Sequence, residues 1–427
     1  MRASKIALAL LLPVAACASA ASASAQAQAA SVQGVTIDTA RIDAVLQQMI
    51  DSGRAVGTSA LIWQDGREVY FGAAGMADRA VNRPMRRDTI AQIYSMTKPV
   101  TGVALMQLWE QGRFRLDDPI AEYLPEYAKM RVYAGKDAAG QPHYVAAHRP
   151  ITVRDILRHS AGFAYGAGPT PAHDAYVAAD PLALTNTLAE MSRRLASAPL
   201  LFQPGTRWEY SIAVDVQAAL VEKLSGQPFA TYVRAHILEP LKMGETAWRQ
   251  PDDRLPRFAA MNVRKGGKLV QQDADEARAL NFQDHALTPG GFGLASTLDD
   301  YQRFARMLVN QGELDGVRIL KPATVRLMAT DQLDPAIGER AWLPGKGAVG
   351  FGFDFAVRKR QPQTADENRG AVGEFFWDGA ASTLFWVDPA NKLTVVFFVQ
   401  TLPYDGTLHR DFRAAVYGPD YKGPPGD

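Results

Sequence analysis

Cysteine is almost missing from this chain: among 427 residues there is one, Cys17, and it lies in the N-terminal leader. The rest of the chain can form no disulfide, offers no thiol nucleophile and builds no cysteine-based zinc site. An excess of charge is missing too. Lys and Arg number 46 and Asp and Glu 45, a formal net charge of +1, so nothing electrostatic calls for a nucleic-acid partner. A small molecule reached through a pocket is the expected partner. The G-x-S-x-G elbow that presents many hydrolase serines does not occur. No H-E-x-x-H spacing links the histidines, and His143, His148 and His173 read as surface residues, so no metal and no cofactor is expected. Long apolar runs are lacking as well. The first, Ile6 to Ala16, has 11 residues, short of the roughly 20 that cross a bilayer.

That short run defines the N-terminus as a targeting segment. Arg2 and Lys5 precede it, and Ala23-Ser24-Ala25 is an A-x-A processing site, so residues 1–25 read as a signal peptide. A second site competes with it. Val14-Ala15-Ala16-Cys17 is similar to a lipobox, in which Cys17 is lipidated and retained. The expected destination is export, to the periplasm or beyond, with a lipid on Cys17 as the alternative and the one route to a membrane. Ala18 to Ala30 is Ala/Ser/Gln-rich, residues 26–35 read as a disordered spacer with order beginning near Thr36, and residues 421–427 read as a tail.

Apolar residues make up 47% and charged residues 21%, an ordinary globular composition. Ile42, Val45, Leu46, Met49 and Ile50 recur at helical spacing. Thr58–Trp63 and Glu68–Phe71 flank Asp65-Gly66 and predict a hairpin. In the middle of the chain Val153–Arg158, Pro181–Ala196 and Ala213–Leu224 read as helices, and 128–150 and 163–180 as long loops. Phe351–Val357, Leu384–Val387 and Leu393–Val399 read as strands, Asp299–Asn310 and His409–Tyr417 as helices. Strands at both ends with helices between them predict a discontinuous α/β domain, residues 36–116 and 285–420, carrying a mainly helical insertion, residues 117–284.

The chemistry starts at Ser95-Met96-Thr97-Lys98. Pro99 is tolerated only in a first helical turn, so a helix should begin near Ser95 and place Lys98 one turn on, on the same face. A serine hydroxyl needs an adjacent base, and a buried lysine serves once desolvation lowers its pKa. On its own the four-residue pattern is weak. Its surroundings, Tyr94 to Gly102 (YSMTKPVTG), resemble the nucleophile helix of the superfamily of class C β-lactamases, DD-peptidases and family VIII esterases. Further stretches resemble that superfamily in the same order: Leu116–Pro125, Ile151–Phe163 (ITVRDILRHSAGF), Phe202–Ser211 (FQPGTRWEYS), Gly290–Tyr301 and Phe376–Pro389.

The resemblance implies an antiparallel sheet flanked by helices and an acyl-enzyme mechanism. It assigns Ser95 as nucleophile, Lys98 and Tyr210 as the proton-moving pair, and the backbone N–H groups of Ser95 and Ala380 as the oxyanion hole. It implies that a Tyr210 phenolate, with its pKa depressed by the Lys98 ammonium, takes the serine proton. His159, within RHSAGF, is read as structural, because this chemistry needs no histidine; Tyr165, Tyr176 and Trp208 are read as packing or pocket walls.

Two departures bear on substrate. Where β-lactamases carry Y-x-N, this chain has Tyr210-Ser211-Ile212; where they carry K-T-G, it has Trp377-Asp378-Gly379. Loss of the ammonium and of the amide makes the expected substrate-binding surface, Ile212 with Trp377, Asp378 and Gly379, fit a neutral, partly apolar acyl group. Family VIII esterases characteristically carry a Trp or His at that first position, so the leading expectation is a carboxylesterase. The alternatives are a β-lactamase, a D-amino-acid peptidase or amidase, a transacylase, and a non-catalytic ligand-binding relative.

Overall fold

The run LTVVFFV at Leu393–Val399 shows no polar/apolar alternation, the pattern of a strand covered on both faces. In the computed structural model, which describes residues 34–419 and 421, every residue of that run is buried near the middle of an eight-stranded antiparallel sheet. In chain order its strands are β1 (Gly57–Gln64), β2 (Arg67–Asp78), β3 (Arg83–Pro84), β4 (Val349–Phe351), β5 (Ala356–Arg358), β6 (Phe375–Asp378), β7 (Leu384–Asp388) and β8 (Leu393–Val399). In space they run β4-β5-β6-β7-β8-β1-β2-β3. The seam between the two ends of the chain is the β1–β8 pairing, with Leu61 opposite Val396. The hairpin read from Asp65-Gly66 is there, and β2 extends well past Phe71.

Helices cover both faces. Successive residues of a strand point to opposite sides. Phe385 meets Tyr301 and Phe304 of α5 (Leu298–Val309), whereas its neighbour Trp386 meets Phe412 of α6 (Gly406–Tyr417). The amphipathic α1 (Thr39–Asp51) joins α6 and buries Ile42, Leu46 and Met49. Deeper in the molecule, α2 (Thr97–Glu110) packs on α4 (Ala213–Ser225), with the short α3 (Val153–Leu157) against α4. Thr97 through Met106 are all buried, so α2 is enclosed all round and Lys98 is the one charge within that stretch.

Four local readings need correction. The stretch 128–150 holds a hairpin, Arg131–Lys136 with Pro142–Ala146, whose half-exposed polar residues obscured its strands. The stretch 163–180 holds a helix, Pro171–Ala179, started by Pro171 and a Thr170–His173 capping pair. Pro181–Ala196 is helical only from Leu188, where Thr187 and Glu190 form a capping box. Phe351–Val357 is two strands, because Asp354 turns the chain at φ +61°.

The signal-peptide reading, Cys17 and most of the spacer (residues 1–33) lie outside the described residues. Val35 is already seated, its N–H on Asn391 Oδ1 at 3.3 Å and its carbonyl accepting from Gln64 Nε2 at 2.9 Å. Tyr421, placed in the tail, packs on Tyr417 with ring centroids 4.7 Å apart.

Candidate active site

The turn into α2 is held in a form few residues adopt. Tyr94 has φ +44°, in the left-handed region, and Thr97 Oγ1 fixes it by donating to the Tyr94 carbonyl at 2.6 Å. Ile93 N–H donates to Leu294 O at 3.0 Å, and Tyr301 O–H donates to Met96 O at 2.7 Å. Ser95 is thus carried half-buried on a short 3₁₀ turn, Tyr94–Met96, tied to α5 and to the 290–296 segment.

Lys98 is 1% exposed. Its Nζ donates to Ser95 Oγ at 3.2 Å, Tyr165 Oη at 2.8 Å and Gly291 O at 2.6 Å. These three acceptors use every proton of an ammonium; a neutral amine keeps the two shorter bonds and turns its lone pair to the serine. Burial pushes the Lys98 pKa down to about 8, against the opposing pull of Asp215, Asp354 and Asp378.

Tyr210 completes the cluster. Its hydroxyl is hydrogen-bonded with Ser95, and Trp377 Nε1–H donates to it at 3.3 Å. The Lys98 Nζ sits 4.7 Å from the centre of its ring. Burial raises the Tyr210 pKa, and the bonds from Ser95 and Trp377 offset this only in part. Lys98 is not among the leading influences on this phenol, where burial comes first. This corrects the phenolate reading: Lys98, not Tyr210, is the group that loses its proton nearest neutrality.

The turn after β6 approaches the nucleophile closely. Gly379 N–H donates to Thr383 O, and Ser382 N–H to Gly379 O, both at 2.9 Å, which puts Ala380 at the first corner of the turn. A Cβ on Gly379 would lie 2.5 Å from Ile93 O, so only glycine brings this turn against the residues preceding Ser95. Asp378 is buried and ion-paired with Lys346. Ile212, expected as a substrate wall, is 1% exposed and packed in the core at the start of α4, with no open face toward a cleft. His159 sits behind Tyr210, ring centroids 4.9 Å apart, and its Nδ1 accepts the Ser211 N–H at 3.2 Å, a role in packing and positioning. Among the described residues no group of three or more His, Cys, Asp or Glu is arranged to hold a metal ion.

Three participants escaped the sequence reading. Tyr165, ranked only as a wall, receives a Lys98 bond and is hydrogen-bonded with Tyr210. Asp215, 0% exposed, accepts the Gly291 N–H at 3.0 Å, so one residue, Gly291, links Asp215 through its N–H to Lys98 through its carbonyl. A lone carboxylate in the apolar run AVDVQAALV was a usable signal, since Asp is seldom fully buried without a task. Lys346 had none.

A half-buried serine, a buried amine and a phenol joined by hydrogen bonds, beside a glycine-bearing turn, define the site of a serine hydrolase. The Beta-lactamase family model matches residues 42–417, and the chain belongs to that family. It is 32% identical over 401 residues to Esterase EstB of Burkholderia gladioli, covering 88% of this chain and 95% of that protein. It is 28% identical over 406 residues to a lovastatin esterase of Penicillium rubens, covering 88% and 98%. Among solved structures, EstCE1, a hydrolase with promiscuous acyltransferase activity, superposes with a TM-score of 0.73 at 29% identity, covering 89% of this chain and 98% of that one.

Proposed function

We propose that this serine hydrolase is a carboxylesterase acting on small neutral esters through an acyl-enzyme at Ser95. The observation that carries the reading is the Lys98 amine, buried, lowered toward neutrality and 3.2 Å from Ser95 Oγ. Neutral Lys98 takes the hydroxyl proton as Ser95 Oγ bonds to the ester carbon, and the oxyanion that forms is met by the N–H groups of Ser95 and Ala380. The ester C–O bond breaks as Tyr210, kept protonated by burial, passes its proton to the leaving alkoxide; the Lys98 ammonium restores that proton to Tyr210 through the Tyr165 hydroxyl, which is hydrogen-bonded with both. Water, deprotonated by the same groups, then attacks the acyl carbon and frees the acid and Ser95.

Trp377 supports the ester reading. Its indole N–H supports the Tyr210 hydroxyl at 3.3 Å, and its buried ring packs on that of Tyr210 at 5.2 Å, an apolar backing for the proton donor where β-lactamases carry an ammonium. Trp342, 71% exposed with its ring 6.3 Å from Tyr210, extends the aromatic rim and suits an alcohol acceptor as well as water, which favours acyl transfer as a second outcome of the same intermediate. Export, or a lipid on Cys17, rests on the leader alone.

The test is pre-steady-state turnover of p-nitrophenyl butyrate by purified mature protein. A burst of p-nitrophenol matching the enzyme concentration, lost in Ser95→Ala, is expected. Unimpaired turnover by Ser95→Ala sinks the reading.

A further inference from the structure

The strand beside the nucleophile carries no ammonium, yet one reaches it from elsewhere in the chain. Arg340–Ala341 pairs in parallel with Trp208–Glu209, the residues immediately before Tyr210. The chain then turns through Trp342 at φ +73° and enters a short 3₁₀ turn, Leu343–Lys346. This arm places the Lys346 Nζ 5.3 Å from the centre of the Trp377 ring and 4.4 Å from that of Tyr404, ion-paired with Asp378. Both side chains are largely enclosed, 14% and 8% exposed, so the pair is little screened by solvent.

The other groups facing Asp378 do not replace Lys346. His409 Nδ1 lies 3.8 Å from the carboxylate, but its Nε2–H is spent on Ser382 O at 2.9 Å and Nδ1 takes the Tyr404 hydroxyl at 3.2 Å; burial keeps the ring neutral, with a pKa of about 4. Tyr404 is a phenol whose ionisation is suppressed by burial. Among the described residues the ion-pair partners of Asp378 are Lys346 and His409, and with His409 neutral the cation is Lys346. The field of Asp378 reaches the reacting groups, for it acts on both Lys98 and Tyr210.

We propose that the Lys346–Asp378 pair is the charge filter of the acyl site. With both partners ionised, the rim over Trp377 is neutral and gives a carboxylate-bearing substrate no advantage over a neutral one. Freed of Asp378, the Lys346 ammonium would attract an anionic acyl group; freed of Lys346, the Asp378 carboxylate would repel it. This rests on the carboxylesterase reading and names what sets its preference between neutral and anionic esters.

The experiment compares kcat/KM for p-nitrophenyl butyrate and mono-p-nitrophenyl succinate, which share leaving group and acyl length and differ by a terminal carboxylate. The quantity read is the succinate/butyrate ratio, in which common changes at Lys98 or Tyr210 cancel. Asp378→Asn is expected to raise the ratio about tenfold and Lys346→Met to lower it about tenfold, as an uncompensated charge within several ångströms of the ligand should. The double variant should return near the wild-type ratio. Ratios that stay put, or fall in both single variants, overturn the proposal while leaving the esterase reading intact. A wild-type enzyme inert on both esters removes that reading and this proposal together. Should Asp378→Asn fail to fold, Lys346→Met decides alone: an unchanged ratio overturns the proposal.

Discussion

Asp215→Asn should move the pH at which this enzyme switches on, and the structure gives the size of the move. Asp215 Oδ2 and Lys98 Nζ lie 2.8 and 3.2 Å from the point where a Cβ on Gly291 would sit. They are therefore within about 6 Å of each other, and at an effective dielectric near 20 the attraction is about 3 kcal/mol, or roughly two pKa units. The sign follows from the charges. Anionic Asp215 favours the ammonium and holds the Lys98 pKa up at about 8 against burial, so its neutralisation lets that value fall toward about 6. Asparagine keeps an oxygen for the Gly291 N–H, which preserves the placement of Gly291, whose carbonyl holds Lys98. With neutral Lys98 as the proposed base, wild-type kcat/KM should rise with pH to a plateau through about 8, with about a tenth of the plateau at pH 7. In Asp215→Asn the rise should centre about two units lower, with pH 7 close to its plateau, and the plateau itself lower by up to about tenfold because the base is weaker. The assay is kcat/KM for a neutral ester from pH 5.5 to 9.5, followed by pH-stat. An unchanged limb near pH 8 in the variant refutes Asp215 as the group that sets Lys98.

Two substitutions test the other supports of the reaction. Trp377→Phe removes the 3.3 Å bond to Tyr210 Oη while keeping an aromatic ring, and should lower kcat about fivefold, the worth of a neutral hydrogen bond of about 1 kcal/mol, with KM little changed; a raised KM at unchanged kcat would make Trp377 a wall only. Gly379→Ala would set a Cβ 2.3 Å from Thr383 Oγ1 and 2.5 Å from Ile93 O, forcing the Ala380 turn away from Ser95. The expected loss in kcat is about a hundredfold, as for one missing oxyanion donor, with slowed fluorophosphonate labelling; wild-type kcat would separate this turn from the oxyanion hole.

What could be read before folding was what local spacing controls. Ser95 and Lys98 are three residues apart at a helix start, so their meeting follows from helical geometry, and Pro99 marked the start itself. The buried strands read at Leu384–Val387 and Leu393–Val399 announced themselves as mainly apolar runs without alternation. Tyr210 was placed by resemblance rather than by spacing, since 112 positions separate it from Lys98. Tyr165 sits in a stretch whose pattern gives no register. Lys346 was invisible for a stronger reason: its place over Trp377 depends on Arg340–Ala341 pairing beside Trp208–Glu209, a contact between segments more than a hundred residues apart. The charge lost from the strand sequence was thus restored in space, and only then cancelled by Asp378. The phenolate expectation counted the nearby charge and left out burial, which dominates that phenol and raises its pKa.

The most direct test is to trap the intermediate. The protein is quenched in acid milliseconds after mixing with p-nitrophenyl butyrate at pH 9, digested, and read by mass spectrometry. A butyryl group on the peptide containing Ser95, absent in Ser95→Ala and formed far more slowly at pH 6, is the expected result. An acyl group on any other residue, or formation at pH 6 as fast as at pH 9, would contradict a Ser95 nucleophile activated by Lys98.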